Sequence, residues 1–351
     1  MTRRTVSSII ACVLLVMLFA VAAFLPVPYV TMSPGPTVDV LAESKGEEIV
    51  QVEGHRRYDT DGRLELTTVS VTGPSQGLSL AEALAAWFDR TRAVYPRDVV
   101  YAPDESVEEV RRQSSVQMVS SQDTAIAAAL KELGFELPVV TEVFAVNDGS
   151  PAEGKLEARD RIVSVNGTPV SDATAVTELV QKAGVGGDAT FVVRRDGATK
   201  SVTVQPEAAP DDPTKALVGV TVGGGYDFPF DVSVNISDDI GGPSAGLIFS
   251  LAVYDTLTPG ALTGGVPIAG TGTITGDGTV GPIGGIQQKI VAAADSGAEI
   301  FLVPPDNCAA ALAAGVDDEE IELVRADTMH SAVQALEAYA ADENADLPRC
   351  S

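Results

Sequence analysis

The sequence predicts a multidomain α+β protein, with an N-terminal transmembrane helix followed by units that mix short strands and helices. Three observations carry this. Residues 9–25 hold no charge and no strongly polar side chain, and residues 6–8 bring the stretch to about the twenty that cross a bilayer. Short β-rich runs, residues 64–71 and 139–144, alternate with helical stretches at residues 80–88 and 121–133. A stretch rich in Ala, Pro and Asp, residues 208–213, separates two such regions as a linker.

Composition narrows the function. The chain has 351 residues, enough for several hydrophobic cores, with 23 Lys and Arg against 49 Asp and Glu. The resulting net charge of −26 repels phosphate backbones, so nucleic acid is excluded as a partner. Three cysteines, Cys12, Cys308 and Cys350, lack zinc-site spacing, and two histidines leave little for a metal centre. No metal and no cofactor is expected.

Arg3 and Arg4 precede the apolar stretch and the first acidic residue is Asp39, so the positive-inside bias places the N-terminus in the cytoplasm and the remainder outside. A cleaved signal peptide is the alternative. The one small-residue site, Ala20-Val21-Ala22, lies within the apolar run and not after it, which favours a retained single-pass anchor through residues 6–25 of a cell membrane. Cys12 falls in that span. Cys308 and Cys350 are left as either a disulfide or two free thiols.

After the turn chemistry of Ser33-Pro34-Gly35-Pro36 comes a small α+β segment without a recognisable site, where Trp87 reads as core packing. The next unit opens with a helix stopped by Gly134 and an apolar strand. Asn166-Gly167 suits a tight turn, and Ser171 or Asp172 can cap a helix ending at Ala183, before strands at residues 189–194 and 200–204. Its string GSPAEGKLEARDRIVSVNG, residues 149–167, resembles the core of a PDZ domain. That resemblance implies recruitment of protein or peptide segments by strand addition beside a groove-lining helix. The stretch corresponding to the carboxylate-binding loop, residues 111–116, holds no glycine, and Leu133-Gly134-Phe135 reads as a helix end.

Two glycine-rich stretches do not hold nucleotides. Residues 149–155 have P-loop spacing, but Leu156 stands where Ser or Thr must reach magnesium. Residues 276–281 match a dinucleotide fingerprint without its βαβ setting and read as a hairpin.

The chemistry points to Ser244. The stretch from Asp238 and Asp239 through Ile240-Gly241-Gly242-Pro243-Ser244-Ala245-Gly246 leads into an apolar run at residues 248–253. A sharp turn there delivers the hydroxyl to the head of a buried helix, among unpaired N–H groups suited to an oxyanion. Neither His55 nor His330 is placed to serve as its base. Lys289 is the remaining candidate: a helix starting near Gly285 puts Ile286, Lys289, Ile290 and Ala293 on one face. Desolvation on that face lowers a lysine pKa until the neutral amine can take a serine proton.

GGPSAGL at residues 241–247, followed by GPIGGIQQKIVAAADSGAEIFLVPPDN at residues 281–307, resembles the proteolytic domain of the Lon family, Ser-Lys peptidases. The resemblance covers residues 218–336. It implies Ser244 as nucleophile, Lys289 as general base, Thr271 orienting the lysine, and Gly242, Pro243 and Ala245 as supporting residues. Gly241 stands where the family commonly has an acid. The whole chain resembles membrane-anchored, PDZ-containing Lon-like proteases of Gram-positive bacteria. The expected division is residues 1–31 tip and anchor, 32–115 α+β segment, 116–207 PDZ-like domain, 208–217 linker, 218–343 Lon-type proteolytic α/β domain and 344–351 tail. The function so implied is an ATP-independent serine endopeptidase acting on unfolded or membrane-associated extracytoplasmic proteins, as a homo-oligomer. The alternative is a catalytically silent PDZ scaffold that binds peptide segments of partners.

Overall fold

The computed structural model describes residues 3–44, 46–102, 105–195, 197–210, 212–237, 240–316 and 320–350. Asp238 and Asp239, read as the approach to the serine turn, and Asp211 of the linker lie outside them. In chain order the principal elements are α1 (Arg3–Ala23), β1 (Tyr29–Asp39), β2 (Val50–Glu53), β3 (Arg63–Val71), α2 (Leu80–Phe88), β4 (Ala93–Pro96) and α3 (Val107–Glu132). Then come β5 (Val139–Val146), β6 (Arg161–Val165), α4 (Ala173–Ala183), β7 (Ala189–Arg195), β8 (Ala198–Val204), β9 (Val220–Tyr226) and β10 (Asp231–Val234). The last group is α5 (Gly246–Leu257), β11 (Pro267–Gly270), β12 (Thr273–Ile274), β13 (Val280–Gly281), α6 (Ile286–Asp295), β14 (Ile300–Val303), β15 (Glu322–Arg325) and α7 (Met329–Ala341).

The expected membrane span is corrected. Among the described residues no helix is long and apolar enough to cross a membrane. The helix ends at Ala23, where the Phe24 and Leu25 N–H groups turn back onto the Val21 and Ala22 carbonyls, and the chain then enters strands. Only residues 9–23 are both helical and uninterruptedly apolar, a rise of about 22 Å against a hydrocarbon core of about 30 Å. The transmembrane part of the fold class therefore falls. With it fall the cytoplasmic N-terminus and the extracytoplasmic location of the remainder, both of which hung on that span. Trp87 is corrected too: it is 70% exposed on α2 and packs in no core.

One six-stranded sheet has the order β15-β14-β11-β3-β1-β4. The pairs β15–β14, β14–β11 and β11–β3 are parallel, whereas β1 runs antiparallel to both β3 and β4. The sheet thus crosses the boundary expected between residues 32–115 and the later proteolytic unit. Alternation along β11 and β14 sorts side chains to two faces. Ile268, Ile300 and Leu302 join Leu247, Ile248 and Leu251 of α5 in one core, and Ala269, Phe301 and Val303 join Ile286, Ile290 and Ala293 of α6 in another. Helices therefore cover both faces, with α5 on one and α6 on the other.

A second sheet, antiparallel, runs β8-β7-β6-β5-β9 with residues 168–169 added to β6. Asn166 and Gly167 both take positive φ, 49° and 75°, as the tight turn requires. The Asp172 side chain accepts from the Ala175 N–H and caps α4. Val143, Ile162, Val165, Val176, Val180 and Phe191 fill this unit's core. The helix expected at residues 121–133 starts earlier, at Val107, where Ser106 and Glu109 form a reciprocal capping box. Residues 111–116 are consequently helical, and no carboxylate-binding loop exists there. Residues 276–281 do form a hairpin, β12 pairing with β13. Cys308 and Cys350 are disulfide-bonded.

Candidate active site

The site lies where the two helix layers meet beyond the carboxyl end of β11, a strand flanked on both sides by parallel neighbours. Thr271 is the first residue past that strand, and its N–H donates to the Leu302 carbonyl at 3.3 Å. From one face comes the turn into α5. Gly242 takes φ +92°, a conformation costly for any residue with a Cβ, and this lets the chain reverse before Pro243 and Ser244. Gly246 opens the helix pressed against β12; a Cβ there would stand 2.8 Å from Ile274 Cγ2 and 3.0 Å from its backbone nitrogen. The turn is tied down by three bonds. The Gly272 N–H and Thr271 Oγ1 both donate to the Ser244 carbonyl, each at 2.9 Å, and the Leu247 N–H donates to the Gly272 carbonyl at 3.1 Å.

From the other face comes α6. Gly285 enters it with φ +71°, where a Cβ would crowd Met32 and Val69, each at 2.8 Å. Ile286, Lys289, Ile290 and Ala293 then all point inward, and Lys289 is 2% exposed. Its Nζ lies 2.8 Å from Ser244 Oγ and 2.9 Å from Thr271 Oγ1. Burial pulls this amine down from its ordinary value near 10.5 to about 7. Desolvation is the sole cause. Near neutrality the amine is thus available as a neutral group, and at 2.8 Å the hydroxyl can donate to its lone pair.

The structure brings Ser244, Thr271 and Lys289 together, with Gly242, Pro243 and Ala245 framing the serine. His330 instead pairs with Glu132 at 2.7 Å, and His55 stacks on Phe230. Two contributors were not read from the sequence. Ser121 Oγ on α3 donates to the Pro243 carbonyl at 3.1 Å, and the Gly242 N–H donates to the Ser114 carbonyl at 3.2 Å. Both belong to a helix distant in sequence, and no local pattern marks such contacts.

The same helix carries a buried charge cluster into the second sheet. Asp123 lies against Glu142 of β5, and Arg159 Nη1 stands 3.2 Å from Asp123 Oδ1. Desolvation, then the neighbouring Asp123 charge, pushes Glu142 up to about 8. Asp123 is likewise raised, again chiefly by burial and against the opposing pull of Arg159.

Comparison with known proteins adds two families. Residues 106–205 match the PDZ domain, and residues 236–335 match the C-terminal proteolytic domain of Lon protease (S16). The second match contains Ser244, Thr271 and Lys289. A curated relative, the Lon protease of Metamycoplasma arthritidis (strain 158L3-1), is 42% identical over 66 residues, which is 19% of this chain and 8% of that protein. The chain thus spans less than a tenth of that relative's length. Among solved structures, one from Geobacillus thermodenitrificans is 27% identical, covering 23% of this chain and 94% of its own at a TM-score of 0.22. The PDZ domain of an SdrC-like protein from Listeria innocua is 17% identical, covering 24% and 92% at a TM-score of 0.22. A PDZ domain and a Lon-type proteolytic domain are therefore combined in one chain.

Proposed function

We propose that this chain is a serine endopeptidase that hydrolyses unfolded or flexible polypeptide segments through an acyl-enzyme, with Ser244 as nucleophile and Lys289 as general base. The observation that carries the reading is the buried Lys289 amine, 2.8 Å from Ser244 Oγ. Ser244 Oγ attacks the scissile carbonyl carbon while its proton passes to the neutral Nζ. The oxyanion that forms is met by N–H groups and the positive end of the dipole at the start of α5, around Ala245. On collapse the C–N bond breaks and Lys289 returns the proton to the leaving amine. A water then attacks the ester carbon, again losing its proton to Lys289; the C–Oγ bond breaks, Lys289 hands that proton to Ser244 Oγ, and the acid product leaves. Thr271 Oγ1 accepts from the amine while donating to the Ser244 carbonyl, which fixes the direction from which the lysine approaches.

The PDZ domain supports a recruiting role, in which an extended segment is added beside a sheet edge. No step in this chemistry draws on ATP. A homo-oligomer is expected from the resemblance to the Lon family, and sedimentation of the purified chain reads it directly. The test of the activity is cleavage of a disordered protein by the wild type, Ser244→Ala and Lys289→Ala. Loss of at least ~10³-fold in both variants is expected. Cleavage unaltered by either change would leave the PDZ scaffold as the function.

A further inference from the structure

An apolar cavity of about 270 Å³ opens beside the serine turn, between α3, β5 and β12. Its walls include Val116 and Thr124 of α3, Phe144 of β5, Ile274 of β12 and Pro243, the residue preceding Ser244. Ile274 also packs against Gly246, so the cavity is bounded by residues touching the nucleophile turn on both sides of Ser244. It falls just below the range of small-molecule sites, about 300 Å³ and upward, and matches one bulky side chain better than a whole ligand. It is not closed. Val116 and Gln117 also line a second open cavity of about 540 Å³ beside α3, which reaches Thr221 of the edge strand β9. An extended polypeptide fits such a shape: backbone in the open cleft, one side chain in the apolar end.

Phe144 is held in that wall by its neighbour strand. Gly223 of β9 lies beneath the ring, and a Cβ at Gly223 would come 2.2 Å from Phe144 Cε2. The ring therefore occupies the space the glycine leaves empty, fixed on one side and facing the cavity on the other. The Phe144 ring belongs to the PDZ match, whereas Pro243 and Ile274 belong to the proteolytic match. Neither unit forms the cavity alone.

We propose that this cavity receives a large apolar side chain of the polypeptide next to the scissile bond, and that Phe144, from the PDZ unit, is a specificity-determining residue for the cleavage. The inference rests on the peptidase reading of Ser244. It adds that the recruiting unit also shapes which bond is cut.

The test digests an unfolded, carboxymethylated protein with the full chain and maps the termini produced by mass spectrometry. Wild type should cut mainly beside Leu, Met and Phe. Thr124→Trp, which fills the cavity, should lower the ratio of cuts beside large apolar residues to cuts beside Ala, Ser and Gly at least tenfold, in line with what a lost pocket contact does to selectivity. Phe144→Ala, which widens the cavity, should shift cuts toward Trp and Tyr, and it carries the test alone if Thr124→Trp does not fold. Unchanged site distributions in the variants, with Ser244→Ala inactive, would overturn the specificity proposal and leave the peptidase reading standing. Cleavage by Ser244→Ala at the wild-type rate would overturn the peptidase reading itself.

Discussion

Replacing Lys289 by Met should stabilise the fold while removing activity, because the native lysine is held where its charged form is disfavoured. A drop from 10.5 to about 7 corresponds to roughly 4–5 kcal/mol between the protonation states. The unfolded chain keeps an ordinary lysine, so between pH 7 and pH 10.5 it binds more protons than the folded chain, and wild-type stability climbs with pH across that window. At pH 7 the cost is nearly all present. Against it stand the two hydrogen bonds from Nζ to Ser244 and Thr271, together worth about 2 kcal/mol. Lys289→Met is therefore expected to be more stable than wild type by about 2 kcal/mol at pH 7. The gap should narrow by about 1.4 kcal/mol per pH unit, cross zero near pH 9, and reverse above it. Urea denaturation of both proteins at matched pH values reads this directly, since other titrating groups cancel in the difference. A gap that stays flat from pH 7 to pH 10 would mean that the lysine folds with its proton and is no base at neutral pH.

Thr271→Val keeps the shape but deletes the hydroxyl, and kcat/KM on a disordered substrate should fall roughly 10–100-fold. The acidic limb of its pH profile should move to lower pH, since the ammonium loses an acceptor; an unmoved limb would assign Thr271 a purely structural role. Converting Cys308 and Cys350 to Ala opens a link of sequence separation 42, and urea titration should show a loss of about 4 kcal/mol relative to the oxidised wild type. A loss under ~1 kcal/mol would mean the tail is not constrained through that bond. For Glu142 the raised pKa contributes stability that is fully present below about pH 4.5 and is lost as pH rises through about 8. Glu142→Gln should therefore be more stable than wild type by at least ~1 kcal/mol at pH 9 and indistinguishable at pH 4, with equal stabilities at both pH values as the contrary result.

Much of the candidate site was legible because its signals are local. Gly242 ahead of Ser244 announces a turn whose φ only glycine meets cheaply, and the three-and-four spacing of Ile286, Lys289, Ile290 and Ala293 announces one buried face of α6. What was not legible is long-range. Ser114 and Ser121 reach the serine turn from α3, and Phe144 lines the cavity beside it from the other sheet, through placements that leave no periodicity in the chain. The partition of strands behaves likewise: β1 and β3 pair into a sheet with β11, whose sequence is some two hundred residues away, so a reading by neighbourhood gave them a unit of their own. The transmembrane expectation failed for a geometric reason. Counting apolar residues included Phe24 and Leu25, which lie past the helix end, and length along the helix decides spanning. Trp87 shows the limit of composition: a lone tryptophan among apolar neighbours was read as buried, yet the face of α2 that carries it is open.

The proposed chemistry requires one amine, shut away from water, to be uncharged near neutral pH beside one hydroxyl. The most direct measurement is the titration of the Lys289 Cε resonance in 13C-lysine-labelled protein, assigned by its absence in Lys289→Met. A midpoint near 7 is expected. A midpoint above 10, with the resonance otherwise like that of the exposed lysines, would contradict it.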